Sequence, residues 1–449
     1  MANWLALFAV FKNTKAVYKT QELNAAFMRI IAMGDAKLQL AAMECIFTWK
    51  DPNIRPYADN LRNLVDDVKF RDELATFIQN EEQILIDPTH RQGLMPVVMR
   101  VLYGRLIQRS KASNKSSKNA RRKVILGGIS CCKPEEIRIF IDLALEPFQP
   151  ILELPGVETD QEGHVTSFKF DPEGYHSIEK IAWRKQTGLL NLMEDTIKQL
   201  ATHILPFLPD LLKVVLYIIN FAHSRRSQED DAMDIDEGND DKVSDQSTKS
   251  KEVKALALKR IVDMFKINGN FNFTPFVPSM FSAFISARLP TLPSDASQDL
   301  STLVNLFLVW SKKSTYAPYL VDYDARVLPQ IIATLSVKSL NEHVLNVLLE
   351  ILESLLNLCD EEMDVDGEAS LKEKLIIPHV DLILNDLKFR LTQSKDDTKF
   401  GSGRYSVREI SIAARVAPYT KNGEQAATII ELLLPSLKKP SLHSHRPWI

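Results

Sequence analysis

A large apolar residue stands immediately before proline, within or beside an apolar run, at five places: Leu205-Pro206, Val277-Pro278, Leu328-Pro329, Ile377-Pro378 and Leu434-Pro435. Successive prolines lie 72, 51, 49 and 57 residues apart. The first interval includes a 28-residue acidic stretch, Ser224 to Lys251; without it the interval is 44. A period of roughly 40–50 residues with two helices in each is the signature of HEAT and armadillo arrays. One helix pair cannot bury its own apolar face, whereas stacked pairs can, each against its neighbours. The expected fold class is all-α: a HEAT/armadillo-like α-solenoid of stacked antiparallel helix pairs.

Local signals agree. Only 15 of the 449 residues are glycine, roughly half the usual ~7%, which disfavours sheet-rich folds and glycine-rich phosphate loops. Gln21 to Met33 is amphipathic and stops at Gly34; Asp35 is placed to cap the next helix. There Leu38, Ala42, Cys45, Ile46 and Trp49 keep helical spacing until Asp51-Pro52 breaks it. Ile54 to Asp67 and Phe70 to Gln79 read as further helices. Asn341 to Leu358 is apolar on more than one side and should be an inner helix. Residues 149–176, with their prolines and glycines, read as a long loop with a short hairpin near Val165 to Phe170. Ile204 to Ala222 has a membrane-like length, yet it contains Pro206, Pro209, Asp210 and Lys213, so it reads as a buried helix pair. The acidic stretch is rich in Asp, Glu, Ser and Gln, which predicts disorder. The expected organisation is helical repeats over 1–223, an acidic disordered linker over 224–251, and helical repeats over 252–449. A second acidic patch, Asp360 to Glu368, reads as a solvated loop.

One stretch departs from the repeats in charge. The chain is nearly neutral, at net −3. Between Asp87 and Glu135 there is no acidic residue, while Arg91, Arg100, Arg105, Arg109, Lys111, Lys115, Lys118, Arg121, Arg122, Lys123 and Lys133 all fall there. Leu94, Val98, Val101, Leu102 and Leu106 mark a helix. Ser110 to Asn119 has no large apolar residue and reads as a mobile basic loop. Pro134, followed by Glu135 and Glu136, starts another helix, whose stripe is Ile137, Phe140, Ile141 and Ala144. Such a scaffold presents charge. The candidate RNA-phosphate contacts are Arg105, Arg109, Lys111, Lys115, Lys118, Arg121, Arg122 and Lys123. With no aromatic interleaved to stack on bases, binding would be to backbone and shape.

The sequence carries no GxxxxGK[ST] loop, no GxGxxG after a strand, no GxSxG and no HExxH. No catalytic residue, metal site or cofactor is expected. Cys45, Cys131, Cys132 and Cys359 lack zinc or redox spacing, and a reducing compartment is expected. Ser227, followed by Gln228, Glu229 and Asp230, is a candidate phosphorylation site for an acid-directed kinase.

The segments LMPVVMRVLYGRLIQR and RRKVILGGISCCKPEEIRIFIDLALEPF, flanking the basic loop, resemble the DRIM family, the U-three small-nucleolar-RNA-associated protein 20 family. So do GDAKLQLAAMECIFTWKDPNIRPY upstream and KQTGLLNLMEDTIKQLATHILPFLPDLL, LVNLFLVWSKKSTYAPYL and EQAATIIELLLPSL downstream. The resemblance implies a large, non-catalytic HEAT-repeat scaffold of the small-subunit processome in the nucleolus. It would act in pre-ribosomal RNA processing towards 18S RNA. The expected partners are pre-ribosomal RNA and small-nucleolar-RNA-containing processome proteins, with no membrane and no small-molecule substrate. This chain is several times shorter than that family's members and is expected to be a fragment or truncated form. Two other readings of the helical array stand beside this one: a HEAT-repeat nuclear transport receptor-like protein, and the helical scaffold region of a larger kinase-like enzyme.

Overall fold

The computed structural model describes residues 2–12, 14–78, 85–108, 115–232, 240–295, 299–338, 340–362, 370–393 and 405–437. The fold is all-α: among the described residues there are twenty-two α-helices and one two-stranded sheet. Two compact units divide the chain, one of Met1–Pro155, Asp171–Tyr217 and Ile267–Phe271, the other of Gly156–Phe170, Ile218–Lys266 and Asn272–Ile449.

The first unit contains α1 (Ala2–Ala9), α2 (Thr20–Ile31), α3 (Ala36–Phe47), α4 (Ala58–Val65), α5 (Phe70–Phe77), α6 (Pro88–Ile107), α7 (Lys115–Ser130), α8 (Pro134–Leu145), α9 (Gln149–Leu152), α10 (Glu173–Glu179), α11 (Trp183–Leu200) and the opening turns of α12 (Leu208–Ala232). Helix α2 packs on α3 and α6, α6 packs on α8, and α7 packs on α11. Asp35 caps α3 as its type predicts, its side chain accepting from Lys37 N at 2.9 Å and Leu38 N at 3.2 Å. Buried Gln39 ties three helices together, donating from Nε2 to Ile31 O at 2.7 Å and Val101 O at 3.2 Å. Gly104 of α6 makes room for it: a Cβ there would stand 2.2 Å from Gln39 Nε2 and 2.8 Å from Ile31 O.

The second unit holds the remainder of α12 and most of α13 (Asp240–Ile267), then α14 (Val277–Met280), α15 (Leu292–Asp295), α16 (Thr302–Ser311), α17 (Tyr319–Asp322), α18 (Val327–Ala333), α19 (Glu342–Glu361), α20 (Val380–Gln393), α21 (Tyr405–Val416) and α22 (Gly423–Leu437). Helix α19 is the inner helix its composition predicts. Val344, Leu345, Val347, Leu348, Ile351, Leu352 and Leu355 are all buried, with α16 and α21 packed against it. Arg408 of α21 clamps α19, with Nε to Glu353 Oε1 at 2.6 Å and Nη2 to Oε2 at 2.5 Å. The expected hairpin is present: β1 (Val157–Thr159) pairs antiparallel with β2 (Val165–Phe168). Phe168 is buried, and its carbonyl accepts from Ser279 Oγ at 2.9 Å.

The recurrent prolines mostly mark helix starts. Pro206 and Pro378 lie in 3-10 turns leading into α12 and α20, Pro278 is in the first turn of α14, and Pro329 is the third residue of α18. A helix's first N–H groups have no intrahelical acceptor, so a residue lacking one costs nothing there. Pro435 differs and lies in the last turn of α22.

Several expectations need correction. Residues 149–176 are not one loop with a hairpin: α9 opens the range and α10 begins within it at Glu173. Helix α7 begins at Lys115, inside the basic loop expected over 110–119. Ile125, Leu126 and Ile129 are buried; they anchor the helix, and each further residue towards its start adds a backbone bond at little cost. Helical backbone also enters the acidic stretch from both sides, to Ala232 in α12 and from Asp240 in α13. Ser250, inside that stretch, is buried and donates to Ala222 O at 2.9 Å. Acidic and polar residues are compatible with helix, so composition alone did not settle the backbone; residues 233–239 lie outside the described residues. In the second acidic patch, Asp360 and Glu361 complete α19, and Asp360 Oδ2 pairs with Arg415 Nη2 at 2.5 Å.

The run Trp183–Ser224 is long and apolar enough by composition to cross a membrane, and 72% of its most apolar window is buried inside the fold. The pair expected over Ile204 to Ala222 is instead the end of the 3-10 turn Ala201–Phe207 and one helix, α12, with α11 preceding the turn; the range is mostly buried, as expected. Lys213 within it is buried. Its Nζ donates to Leu152 O at 3.0 Å and Leu154 O at 2.6 Å, at the carbonyl end of α9, where a cation suits the helix dipole.

Candidate nucleic-acid interface

The basic stretch is built from α6, α7 and α8. Asp87 caps α6, its Oδ1 accepting from Thr89 Oγ1 at 2.6 Å and Thr89 N at 2.8 Å, and these bonds hold its carboxyl below the usual carboxylate range. Leu94, Val98, Val101, Leu102 and Leu106 are buried as the spacing predicts. Helix α8 opens on Pro134 as expected, and Glu136 reaches back to accept from Lys133 N at 2.9 Å. The same carboxylate takes Arg91 bidentately, at 2.6 and 2.9 Å, joining α6 to α8.

The eight candidate phosphate contacts do not form one surface. Arg105 is 1% exposed. Its Nη2 lies 2.7 Å from Asp67 Oδ1, its Nη1 donates to Gln108 Oε1 at 3.0 Å, and its guanidinium carbon is 5.1 Å from the Phe70 ring centroid. As the chain stands, it is held inside the fold and is not a surface contact. Arg121 is partly buried, and its Nη2 donates to Gln108 O at 3.2 Å. Burial pushes its pKa down, and the neighbouring Arg105 charge adds to that. Arg122 Nη1 pairs with Asp195 Oδ2 of α11 at 3.0 Å, with most of both side chains covered. Lys123 is exposed and makes no ion pair among the described residues. Lys115 and Lys118 sit in the opening turns of α7, their side chains outside the described residues, and Arg109 and Lys111 lie outside the described residues altogether. Ser227 falls on the backbone of α12, and its side chain likewise lies outside them.

Sequence reasoning missed that Arg105 is interior, although a signal existed. It falls eleven, seven and four residues after Leu94, Val98 and Val101, on the same apolar stripe. Asp67 and Gln108 were missed as its partners, because nothing local couples them to α6 or α7.

Cys132 is buried, and burial, with Glu136 nearby, pushes its thiol up to about 12. Cys131 is exposed, and all four thiols are free. Among the described residues no group of three or more His, Cys, Asp or Glu is placed to hold a metal ion.

Residues 1–446 match the family model described as U3 small nucleolar RNA-associated protein 20, N-terminal. The U3 small nucleolar RNA-associated protein 20 of Schizosaccharomyces pombe is 25% identical over 449 residues, which cover 97% of this chain and 17% of that protein. Its namesake in Saccharomyces cerevisiae is 22% identical over 443 residues, covering 97% of this chain and 16% of that protein. The chain therefore spans about a sixth of the length of the curated relatives it matches.

Proposed function

Because the chain belongs to the U3 small nucleolar RNA-associated protein 20 family, whose N-terminal model it matches over residues 1–446, we propose that it acts in the small-subunit processome. In this reading it is a non-catalytic nucleolar scaffold in pre-ribosomal RNA processing towards 18S RNA. That match over nearly the whole chain carries the reading. The stacked helices fit it, since an extended array of helix pairs offers long surfaces on which RNA and proteins are held.

Within the scaffold, the contact to RNA phosphates is assigned to Arg109, Lys111, Lys115, Lys118, Arg121, Arg122 and Lys123. Arg105 is left out of the surface contact because it is buried. If about four of these cations meet phosphates, affinity falls roughly a hundredfold between 50 and 200 mM salt.

The test is to purify the full-length native protein gently and sequence the RNA that accompanies it. Unprocessed ribosomal precursor with small nucleolar RNA supports the reading; transport cargo with no enriched RNA sinks it. Exchanging Arg109, Lys111, Lys115, Lys118 and Lys123 for Gln then weakens RNA binding and flattens its salt slope, and an unchanged slope removes the assignment of the basic stretch.

A further inference from the structure

The geometry points to a phosphate-binding subsite floored by Arg105 and Arg121, in which the Asp67 carboxylate stands as a displaceable counter-ion. The inference rests on the proposed reading of this stretch as an RNA contact and adds two fixed guanidiniums and a displaceable counter-ion to it.

Gln108, the residue that ends α6, holds both guanidiniums. Its side-chain Oε1 accepts from Arg105 Nη1 at 3.0 Å, and its main-chain oxygen accepts from Arg121 Nη2 at 3.2 Å. Gln108 is itself fixed from behind: a Cβ added to Gly34 would stand 3.0 Å from Gln108 Cα. The Phe70 ring supports Arg105. These contacts pin two cations side by side before any ligand arrives, which is the preorganisation an anion site needs.

Hydrogen-bonding capacity is left over. The Arg105 charge disfavours that of Arg121, and Asp67 offsets this for Arg121. Asp67 is the carboxylate that pairs with Arg105, and Asp66 beside it on the turn also feels the Arg105 charge. Nε of Arg105 and Nε of Arg121 are buried with no acceptor among the described residues. A guanidinium is a planar fork suited to the oxygens of a phosphate, and Asp67 reaches Arg105 through Oδ1 alone at 2.7 Å.

The counter-ion is a lid rather than a wall. The Asp67 side chain is 77% exposed while that of Arg105 is 1% exposed. Asp67 stands on the turn between α4 and α5, outside either helix. Rotating this one exposed side chain frees Arg105 Nη2 without moving a helix. A phosphodiester then replaces the Asp67 carboxylate on Arg105.

The test compares D67N with D72N and R121Q in the full-length protein. Asn keeps an Oδ1 acceptor for Arg105, so D67N preserves the fold, and D72N removes an equal charge from the exposed first turn of α5. Two readouts are used: poly(U) RNA affinity against salt, and hydrogen exchange of the peptide containing Gln108 with inorganic phosphate against chloride at equal ionic strength. The expected result is RNA binding about two- to fivefold tighter in D67N than in D72N, the range for releasing an exposed ion pair. That gain disappears in D67N/R121Q, and phosphate protects the Gln108 peptide in D67N. Equal effects of D67N and D72N on RNA, with no protection by phosphate, overturn the subsite and leave the RNA reading standing. Protection by phosphate without RNA binding supports an anion site for free phosphate and overturns the RNA reading.

Discussion

Arg91 and Glu136, 45 residues apart, meet in a two-pronged ion pair, Nε to Oε1 at 2.6 Å and Nη2 to Oε2 at 2.9 Å, with only 9% of the Glu136 side chain exposed. The bond raises the Arg91 pKa further above its ordinary value. Removing the arginine leaves a covered carboxylate with the Lys133 N–H. R91A is therefore expected to destabilise the fold by about 3 kcal/mol, the low end for breaking a buried pair. R91K, which keeps the charge but loses the fork, falls between R91A and wild type. Urea denaturation followed by exchange of the α6 and α8 peptides measures it; an R91A fold as stable as wild type refutes the role given to the pair.

Two glycines in neighbouring helices should respond in opposite directions. A Cβ at Gly104 meets Gln39 Nε2 at 2.2 Å, Met33 O at 2.6 Å and Ile31 O at 2.8 Å, and two of those atoms are backbone. G104A is expected to cost about 1–3 kcal/mol, as overpacking does. A Cβ at Gly127 meets nothing within 4 Å. Because Gly127 lies inside α7, G127A should stabilise by about 0.5–1 kcal/mol through helix propensity. The sign of each change in chemical denaturation is the check.

Lys213 is a buried cation on two carbonyls, and burial pushes its pKa down. K213M keeps the stem's bulk and leaves Leu152 O and Leu154 O short of a donor. A loss of about 1–3 kcal/mol is expected, together with faster exchange around α9. No loss of stability would show that water replaces the ammonium without penalty.

His379, in the turn before α20, has its pKa lowered from 6.5 by burial alone. The folded state therefore binds fewer protons than the unfolded state below that value. The stabilisation from keeping the imidazole neutral is complete above pH 6.5 and declines as the pH falls towards the folded pKa. H379Q should flatten this decline of unfolding free energy below pH 6.5 and leave the curve above it parallel to wild type. An unchanged acid slope would assign the loss to other groups.

Much of the fold could be read from the chain because it depends on local rules. Asp35 caps, Pro134 starts, and α19 is apolar around most of its circumference; each is decided within one or two turns of helix. Helix α7 escaped notice because Gly127 and Gly128 lower its propensity, while its anchors Ile125, Leu126 and Ile129 gain their value from α11, over fifty residues on. The site was legible only as charge. Composition located a basic stretch, but which cations face outward depends on Asp67, Gln108 and Asp195, partners brought in by the tertiary fold. Arg105 shows the difference: it was counted with the surface bases, yet it lies on the apolar stripe and is covered.

The pairing of each helix with those close to it in sequence has a consequence for how the protein is made. Helices α1, α2 and α3 pack together, and α2 and α4 reach forward to α6. A chain emerging from the ribosome therefore meets the partners of its first helices within about a hundred residues. Loop closure over such short spans is cheap and fast, so burial can keep pace with synthesis. A growing chain of this kind need not hold a large apolar surface open while it waits for its distant end.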